Sequence, residues 1–79
     1  MDFNKAVKEA AKNRVLLDIT YRDGKGVISD RRTEPYELKD GSYFGYDVNK
    51  QGIRNFKLDG ITDAVVTKIP FIAQWEIQI

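Results

Sequence analysis

The 79-residue sequence contains no cysteine and no histidine. Without cysteine the chain can form no disulfide, no thiolate metal site and no thiol nucleophile. Without histidine it lacks the commonest general base and the commonest zinc ligand. We therefore expect no catalytic residues, no metal site and no cofactor.

Long apolar stretches and an excess of either charge are also missing. No segment approaches the roughly 20 apolar residues that a membrane-spanning helix needs, and the N-terminus has no apolar run of signal-peptide length. We therefore expect a cytoplasmic protein with no membrane partner. The 13 Lys and Arg residues nearly balance the 12 Asp and Glu residues. This balance argues against strong non-specific binding to polyanions, which needs clustered basic residues, but it permits a local basic patch.

What the chain does contain is typical of a small globular domain, with 42% hydrophobic and 32% charged residues. A chain of this length can bury only one modest core. Residues 1–13 have the apolar spacing of an amphipathic helix, with Phe3, Ala6, Val7 and Ala10 on one side. From residue 14 the period becomes two, as in half-buried strands. The sequence therefore predicts one domain over 1–79, with a helix over 1–13 and a β-structure over 14–79.

The β-region divides into short strands separated by turn sequences such as Asp-Gly. Strands are predicted over 14–21, from about 27 to a stop or bend at Pro35, and over 43–48, 53–58, 63–69 and 74–79. One helix followed by five or six short antiparallel strands predicts a mainly β (α+β) fold. A small curled barrel is favoured, because closure hides the edge strands.

Arg54 lies where a strand would normally bury an apolar residue, since it is in phase with Phe56 and Leu58. One interpretation makes it the cationic floor of an anion-binding pocket. The other makes it half of a structural ion pair, because perturbed charges occur in both settings. The candidate acidic partners are Asp18, Asp47 and Glu76.

The other basic candidates differ in the face that they should occupy. Arg31 offers the same two interpretations as Arg54, and the neighbouring Arg32 points to the opposite face. Lys57 has the opposite parity from Arg54, so the two can line one pocket only if the strand twists or bulges.

Three tyrosines, Tyr21, Tyr43 and Tyr46, are candidates for stacking on bases. Their alternative role is to fill the core. Tyr43 and Tyr46 differ in parity, so at least one should face outward, and Tyr43, beside a turn, is our choice. Three other aromatic residues are predicted to lie in the core, because the residues around them alternate between apolar and polar as in buried strands: Phe56, Phe71 and Trp75.

Several blocks together resemble the WYL domain family, over most of the chain. They are LLDITYRDGKG, RRTEPYEL, DGSYFGYD, IRNFKLDGI and PFIAQWEIQI. The best matches are Arg31, four residues before Pro35, and the Arg-x-Phe-x-Leu-Asp-x-Ile block that starts at Arg54. The chain departs from the family in lacking the Trp-Tyr-Leu triplet near residues 41–44. It also has Lys57 and Gly60 where the family usually has arginine.

This resemblance implies an Sm-like β-barrel with a preceding helix, acting as a non-enzymatic, regulatory ligand-binding module. WYL domains are usually attached to a helix-turn-helix in bacterial regulators and sense ligands, in several cases single-stranded nucleic acid, through basic residues of the barrel. A single N-terminal helix is too little to read an operator by itself. We therefore expect single-stranded nucleic acid or another small anionic ligand. The predicted contacts are Arg31, Arg54, Lys57, Tyr21 and Tyr43.

Two other functional classes are the alternatives to a ligand-binding module. Similar domains occur in phage and mobile-element proteins, so the chain could instead be a protein-interaction module that docks onto a polymerase, a helicase or an effector nuclease. An enzyme is not expected, because carboxylates without a positioned base make a weak catalytic set. The apolar face of the terminal segment WEIQI also predicts a possible homodimer through edge pairing.

Overall fold

The structure is a computed structural model that describes residues 3–79. The amphipathic N-terminal segment forms helix α1 (Phe3–Asn13). Residues 1 and 2 of the predicted helix lie outside this range. The apolar side of α1 packs on the sheet and buries Val7, Ala10 and Ala11. The helix ends at Asn13, and the next residue, Arg14, has a left-handed φ of 55°, as is common just after a helix C-terminus.

Five strands follow the helix: β1 (Val15–Arg22), β2 (Ile28–Lys39), β3 (Ser42–Asp47), β4 (Gly52–Lys57) and β5 (Ile61–Pro70). They form one sheet in the order β4-β3-β2-β1-β5, and each strand is antiparallel to its neighbours. A 3-10 turn, Leu58–Gly60, joins β4 to β5. The predicted mainly β fold with an N-terminal helix and five antiparallel strands is confirmed.

The predicted closure into a barrel is not found, because β4 and β5 are the two edges of an open sheet. The chain passes from β4 to β5 through only three residues, and β5 then forms its hydrogen bonds with β1. Among residues 3–79, no strand therefore pairs with the outer edge of β4.

The predicted sixth strand over 74–79 is wrong. Within this segment only Gln78 forms a β-bridge, an isolated parallel one with Glu37. The segment is held mainly by Tyr36, whose carbonyl accepts from Gln78 N–H at 2.8 Å and whose hydroxyl accepts from Gln74 N–H at 2.9 Å. Because these bonds do not form a β-ladder, the alternation of apolar and polar residues in this segment does not determine which side chains are buried. Trp75, predicted to be core, is 51% exposed.

β2 does not stop at Pro35 but bends there and continues to Lys39. The register against β3 shifts between Pro35 and Glu37, which marks a bulge. Proline cannot donate to a ladder, and a bulge is one of the few places where a sheet accepts it. The bulge also changes which side chains face the core after Pro35, so simple alternation fails for the rest of the strand.

The core lies between α1 and one face of the sheet. Its buried cluster consists of Val7, Ala10, Leu17, Ile19, Tyr43, Phe56 and Ile61. Thr33 is buried among them and donates to Leu17 O at 2.8 Å, and its hydroxyl lies 2.7 Å from the Tyr43 hydroxyl. Each buried polar group therefore has a partner, which removes most of its desolvation cost.

Within residues 3–79, no helix has the length and apolar character required to cross a membrane.

Candidate functional site

The more buried of the two ion pairs found in residues 3–79 joins Arg31 on β2 to Asp47 at the end of β3. Arg31 Nη1 lies 2.8 Å from Asp47 Oδ2, and Arg31 Nε donates to the Ser29 hydroxyl at 3.0 Å. The Asp47 side chain is fully buried and that of Arg31 is 24% exposed. Asp47 Oδ1 also accepts from the backbone N–H groups of Asn49 and Lys50, both at 3.1 Å. The Asp47 carboxylate therefore both fixes the β3–β4 turn and orients the Arg31 side chain.

Two opposing effects act on the pKa of Asp47. Burial raises it, but the hydrogen bond and charge of Arg31 and the N–H groups of Lys50 and Asn49 lower it, and their combined effect prevails. The net pKa lies below the ordinary value, so Asp47 is a carboxylate at neutral pH.

Arg54 lies on the same sheet face as this ion pair. Cross-strand partners point to the same side of a sheet, and Arg54 pairs with Gly45 while Thr33 pairs with Asp47. The side chain of Arg54 is nevertheless exposed, because β4 is an edge strand and α1 packs against β1, β2 and β5. The Arg54 side chain forms no hydrogen bond or ion pair with any residue of the described range.

The lack of a partner for Arg54 has a structural reason. Two of its candidate acidic partners are occupied elsewhere, since Asp47 binds Arg31 and Asp18 binds Arg32 through two bonds of 2.8 and 2.9 Å. Its cross-strand neighbour, Gly45, has no side chain. Arg54 is thus an exposed cation on the face that also carries the core, which excludes the ion-pair interpretation within residues 3–79.

Tyr43 does not face outward, so our prediction of its orientation is wrong. It has no solvent exposure, its hydroxyl bonds Thr33, and its ring stacks on Phe56 at 5.9 Å. The inward side of β3 is the one that carries residues 43, 45 and 47. The ring of Tyr43 lies across Gly45, where a Cβ would come within 2.7 Å of it. A base cannot stack on this ring without unfolding the core.

Tyr21 and Lys57 meet at the other end of β4. The half-buried ring of Tyr21 meets Phe56 edge-on at 5.0 Å, and its hydroxyl accepts from the backbone N–H of Lys57 at 3.2 Å. The Lys57 side chain is exposed and lies opposite Ser42, so it has the parity opposite to Arg54, as predicted. The structure therefore brings Arg31 and Arg54 to one face but leaves Lys57 on the other.

An aromatic cluster that the sequence did not predict lies on the opposite face of the sheet. Trp75 contacts Tyr36 at 5.3 Å and Tyr46 at 5.8 Å, and Tyr36 also contacts Phe71 at 6.1 Å between ring centroids. The cluster depends on the bulge after Pro35 and on the path of the C-terminal segment. Neither leaves a periodic signal in the sequence.

With this architecture of a helix packed on a five-stranded antiparallel sheet in place, the chain can be compared with known families. The model of the WYL domain matches residues 2–66, so the chain belongs to the WYL domain family. Residues 67–79 lie outside the match. The family model therefore includes Arg31, Arg54 and Asp47 but not Trp75.

Among solved structures, the chain is similar to proteasome accessory factor B/C (PafBC) of Arthrobacter aurescens. The TM-score is 0.73 at 20% sequence identity, and the alignment covers 86% of this chain but only 11% of PafBC. At this identity the likeness establishes the fold alone. No match was found among curated proteins.

Proposed function

We propose that this WYL domain is a non-enzymatic regulatory module that binds an anionic ligand, single-stranded nucleic acid, on the sheet face that carries Arg54. The observation that carries this proposal is the exposed Arg54 guanidinium, which has no acidic partner in the described range. An unpaired arginine offers planar donors in a fork that fits phosphate oxygens. The WYL resemblance supports the same ligand class, because its best-matched block starts at Arg54.

The remaining predicted contacts have unequal parts in this proposal. Arg31 lies on the same sheet face, but its guanidinium is paired with the Asp47 carboxylate, so it offers fewer free donors and little net charge. Lys57 is exposed on the opposite parity and could touch only a strand that passes around the β4 edge. Tyr21 is half-buried against Phe56, and Tyr43 is excluded because it is buried. The proposed regulation acts on another protein or complex in the cytoplasm.

Salt dependence of oligonucleotide binding tests the ligand class. The logarithm of affinity for a single strand falls by about 0.7 per phosphate contact for each tenfold rise in salt. We expect a slope between about −0.7 and −1.4 for a short single-stranded oligonucleotide, because one or two arginines contribute. Fluorescence anisotropy over a range of salt concentrations measures it. An absence of binding at low salt, or an affinity that salt leaves unchanged, would contradict the proposal.

The unpaired edge of β4 favours a second candidate, a protein-interaction module. Ile53 on this strand is 48% exposed, and a partner strand could extend the sheet by pairing with β4. A polymerase, a helicase or an effector nuclease would be such a partner. An interface of this kind depends on backbone hydrogen bonds and apolar contact, so its affinity should change little with salt.

A further inference from the structure

A groove of about 280 Å³ opens on the sheet face opposite to Arg54. We call it the aromatic groove, and its lining residues are Tyr36, Glu37, Phe44, Ile53, Trp75, Glu76 and Gln78. Phe44 alternates along β3 with the buried Tyr43 and Gly45, which places it on this outer face. The C-terminal segment crosses the same face and supplies one wall.

The indole of Trp75 is held in place yet stays open to solvent. Its ring meets Tyr36 at an interplanar angle of 81° and is tilted by 47° against Tyr46. Tyr36 is itself buried and is fixed by its hydroxyl, which donates to Glu34 and accepts from Gln74 N–H. Trp75 is nevertheless 51% exposed. A positioned aromatic face that water can reach is what a stacking ligand needs.

The charge of the aromatic groove is negative. Two carboxylates, Glu37 and Glu76, line it, and the lining residues include no lysine or arginine. A third carboxylate, Glu34, lies at its flank through the Tyr36 hydroxyl. The groove therefore differs from the Arg54 face in the sign of its charge, and a phosphate ligand would be repelled from it.

We infer that the aromatic groove binds the side chain of an arginine from a protein partner. A guanidinium stacks on indole and phenyl faces and donates in a fork to carboxylates, and Trp75, Phe44, Glu37 and Glu76 offer these two kinds of contact in one cavity. A protein is the source because Ile53 belongs both to the groove and to the unpaired edge strand β4. A segment that pairs with β4 would run beside the groove.

This site goes beyond the anion-binding function proposed above and does not depend on it. Trp75 and Glu76 lie outside residues 2–66, the part of the chain that the WYL family model matches. The groove therefore uses residues that the family match does not include.

Trp75 is the only tryptophan of the chain, so its fluorescence reports directly on the groove. The probes are two capped tripeptides, glycine-arginine-glycine and its neutral analogue with citrulline in place of arginine. We expect the arginine peptide to cause a saturable change in Trp75 fluorescence. The citrulline peptide should bind about three- to tenfold more weakly, because it loses the cation–π contact and the attraction to the carboxylates. Equal affinities, or no saturable change with either peptide, would overturn the inference.

Charge-neutralising variants separate the groove from general electrostatics. Glu37→Gln with Glu76→Gln should weaken the arginine peptide about three- to tenfold and leave the citrulline peptide unchanged. Glu9→Gln, an exposed position on α1, removes a like charge elsewhere and should have no effect. If Glu9→Gln weakens binding as much as the pair, the groove is not the site.

Two further measurements distinguish an arginine side chain from a small ammonium ion, and the aromatic groove from the Arg54 face. Tetramethylammonium should bind more weakly than the arginine peptide, since it cannot donate to the carboxylates. If it binds equally well, the site takes small ammonium ions and not an arginine side chain. Arg54→Ala should leave arginine-peptide binding unchanged, and a loss in this variant would contradict a separate site.

Discussion

At the scale of single residues, Asp47 connects the β3–β4 turn to Arg31, on the sheet face that also carries Arg54. It is buried, pairs with Arg31 and accepts two backbone N–H bonds. Asp47→Asn keeps the shape but removes the charge, so we expect a loss of about 2 kcal/mol in the free energy of unfolding, less than for a fully buried pair because Arg31 is partly solvated. Urea denaturation measures it. An unchanged midpoint would contradict the structural role of Asp47.

The lowered pKa of Asp47 predicts how this contribution depends on pH. The pKa of Asp47 in the unfolded chain is about 4. In the folded protein it is lower. The stabilisation is therefore fully present above about pH 5 and is lost as the pH falls through the lowered pKa. The difference in stability between wild type and Asp47→Asn should be constant near neutral pH and shrink in acid. A difference that grows in acid would show the opposite sign of shift.

Gly45 is required because the ring of Tyr43 lies across it. A Cβ at this position would come within 2.7 Å of both Cζ and Oη of Tyr43, whose hydroxyl is fixed by Thr33. Gly45→Ala should therefore cost about 1–3 kcal/mol of stability through overpacking. Gly24→Ala is the matched control, since nothing lies within 4 Å of its added Cβ. Equal melting temperatures for the two variants would contradict this packing.

At the scale of the elements, periodicity predicted the helix and the five strands because each has one buried face. It failed where other contacts decide the path of the chain. The alternation of Trp75, Ile77 and Ile79 resembles a strand, but the segment is anchored to Tyr36 by separate hydrogen bonds. The predicted outward orientation of Tyr43 was also wrong. Its ring is buried in the space that Gly45, which has no side chain, leaves free.

The candidate site was predictable only in part. The parity of Arg54 relative to Phe56 marked it as unusual, and the opposite parity of Lys57 was also evident. The ion pair between Arg31 and Asp47 could not be predicted from the sequence, because it depends on the register between β2 and β3. The register also removes Asp47 as a partner for Arg54, so the choice between the two interpretations of Arg54 needed the fold.

The hydroxyl of Tyr36 is expected to control the C-terminal segment. It donates to Glu34 and accepts from Gln74 N–H, and burial with the Glu34 bond raises the pKa of Tyr36 to about 12. Tyr36→Phe should therefore speed hydrogen exchange at the Gln74 amide and cost about 1 kcal/mol of stability. Tyr46→Phe is the control, because the Tyr46 hydroxyl has no hydrogen bond in the described range. Equal exchange at Gln74 in both variants would contradict this anchoring.

At the scale of the whole molecule, the open sheet has two faces of different chemistry. One carries the core, the Arg31–Asp47 pair and the exposed Arg54, and the other carries the acidic aromatic groove. The groove face also carries the exposed Lys57, so its negative charge is local to the lining of the groove. A homodimer remains a prediction, but its expected basis changes, because the free edges belong to β4 and β5 and not to the C-terminal segment.

The central claim, that Arg54 is a ligand contact, is tested most directly by Arg54→Ala, with stability and single-stranded oligonucleotide binding measured on the same samples. Lys68→Ala is the control, since it removes one exposed cation from β5, the opposite edge strand. Arg31→Ala is less informative, because it leaves the buried Asp47 without its partner.

We expect Arg54→Ala to change the free energy of unfolding by no more than about 0.5 kcal/mol, since the side chain is exposed and unpaired. Oligonucleotide binding should weaken by about 1.5 to 3 kcal/mol, the range for one charge-assisted contact, while Lys68→Ala binds like wild type. A large loss of stability with unchanged binding, or an equal loss of binding in both variants, would contradict the role proposed for Arg54.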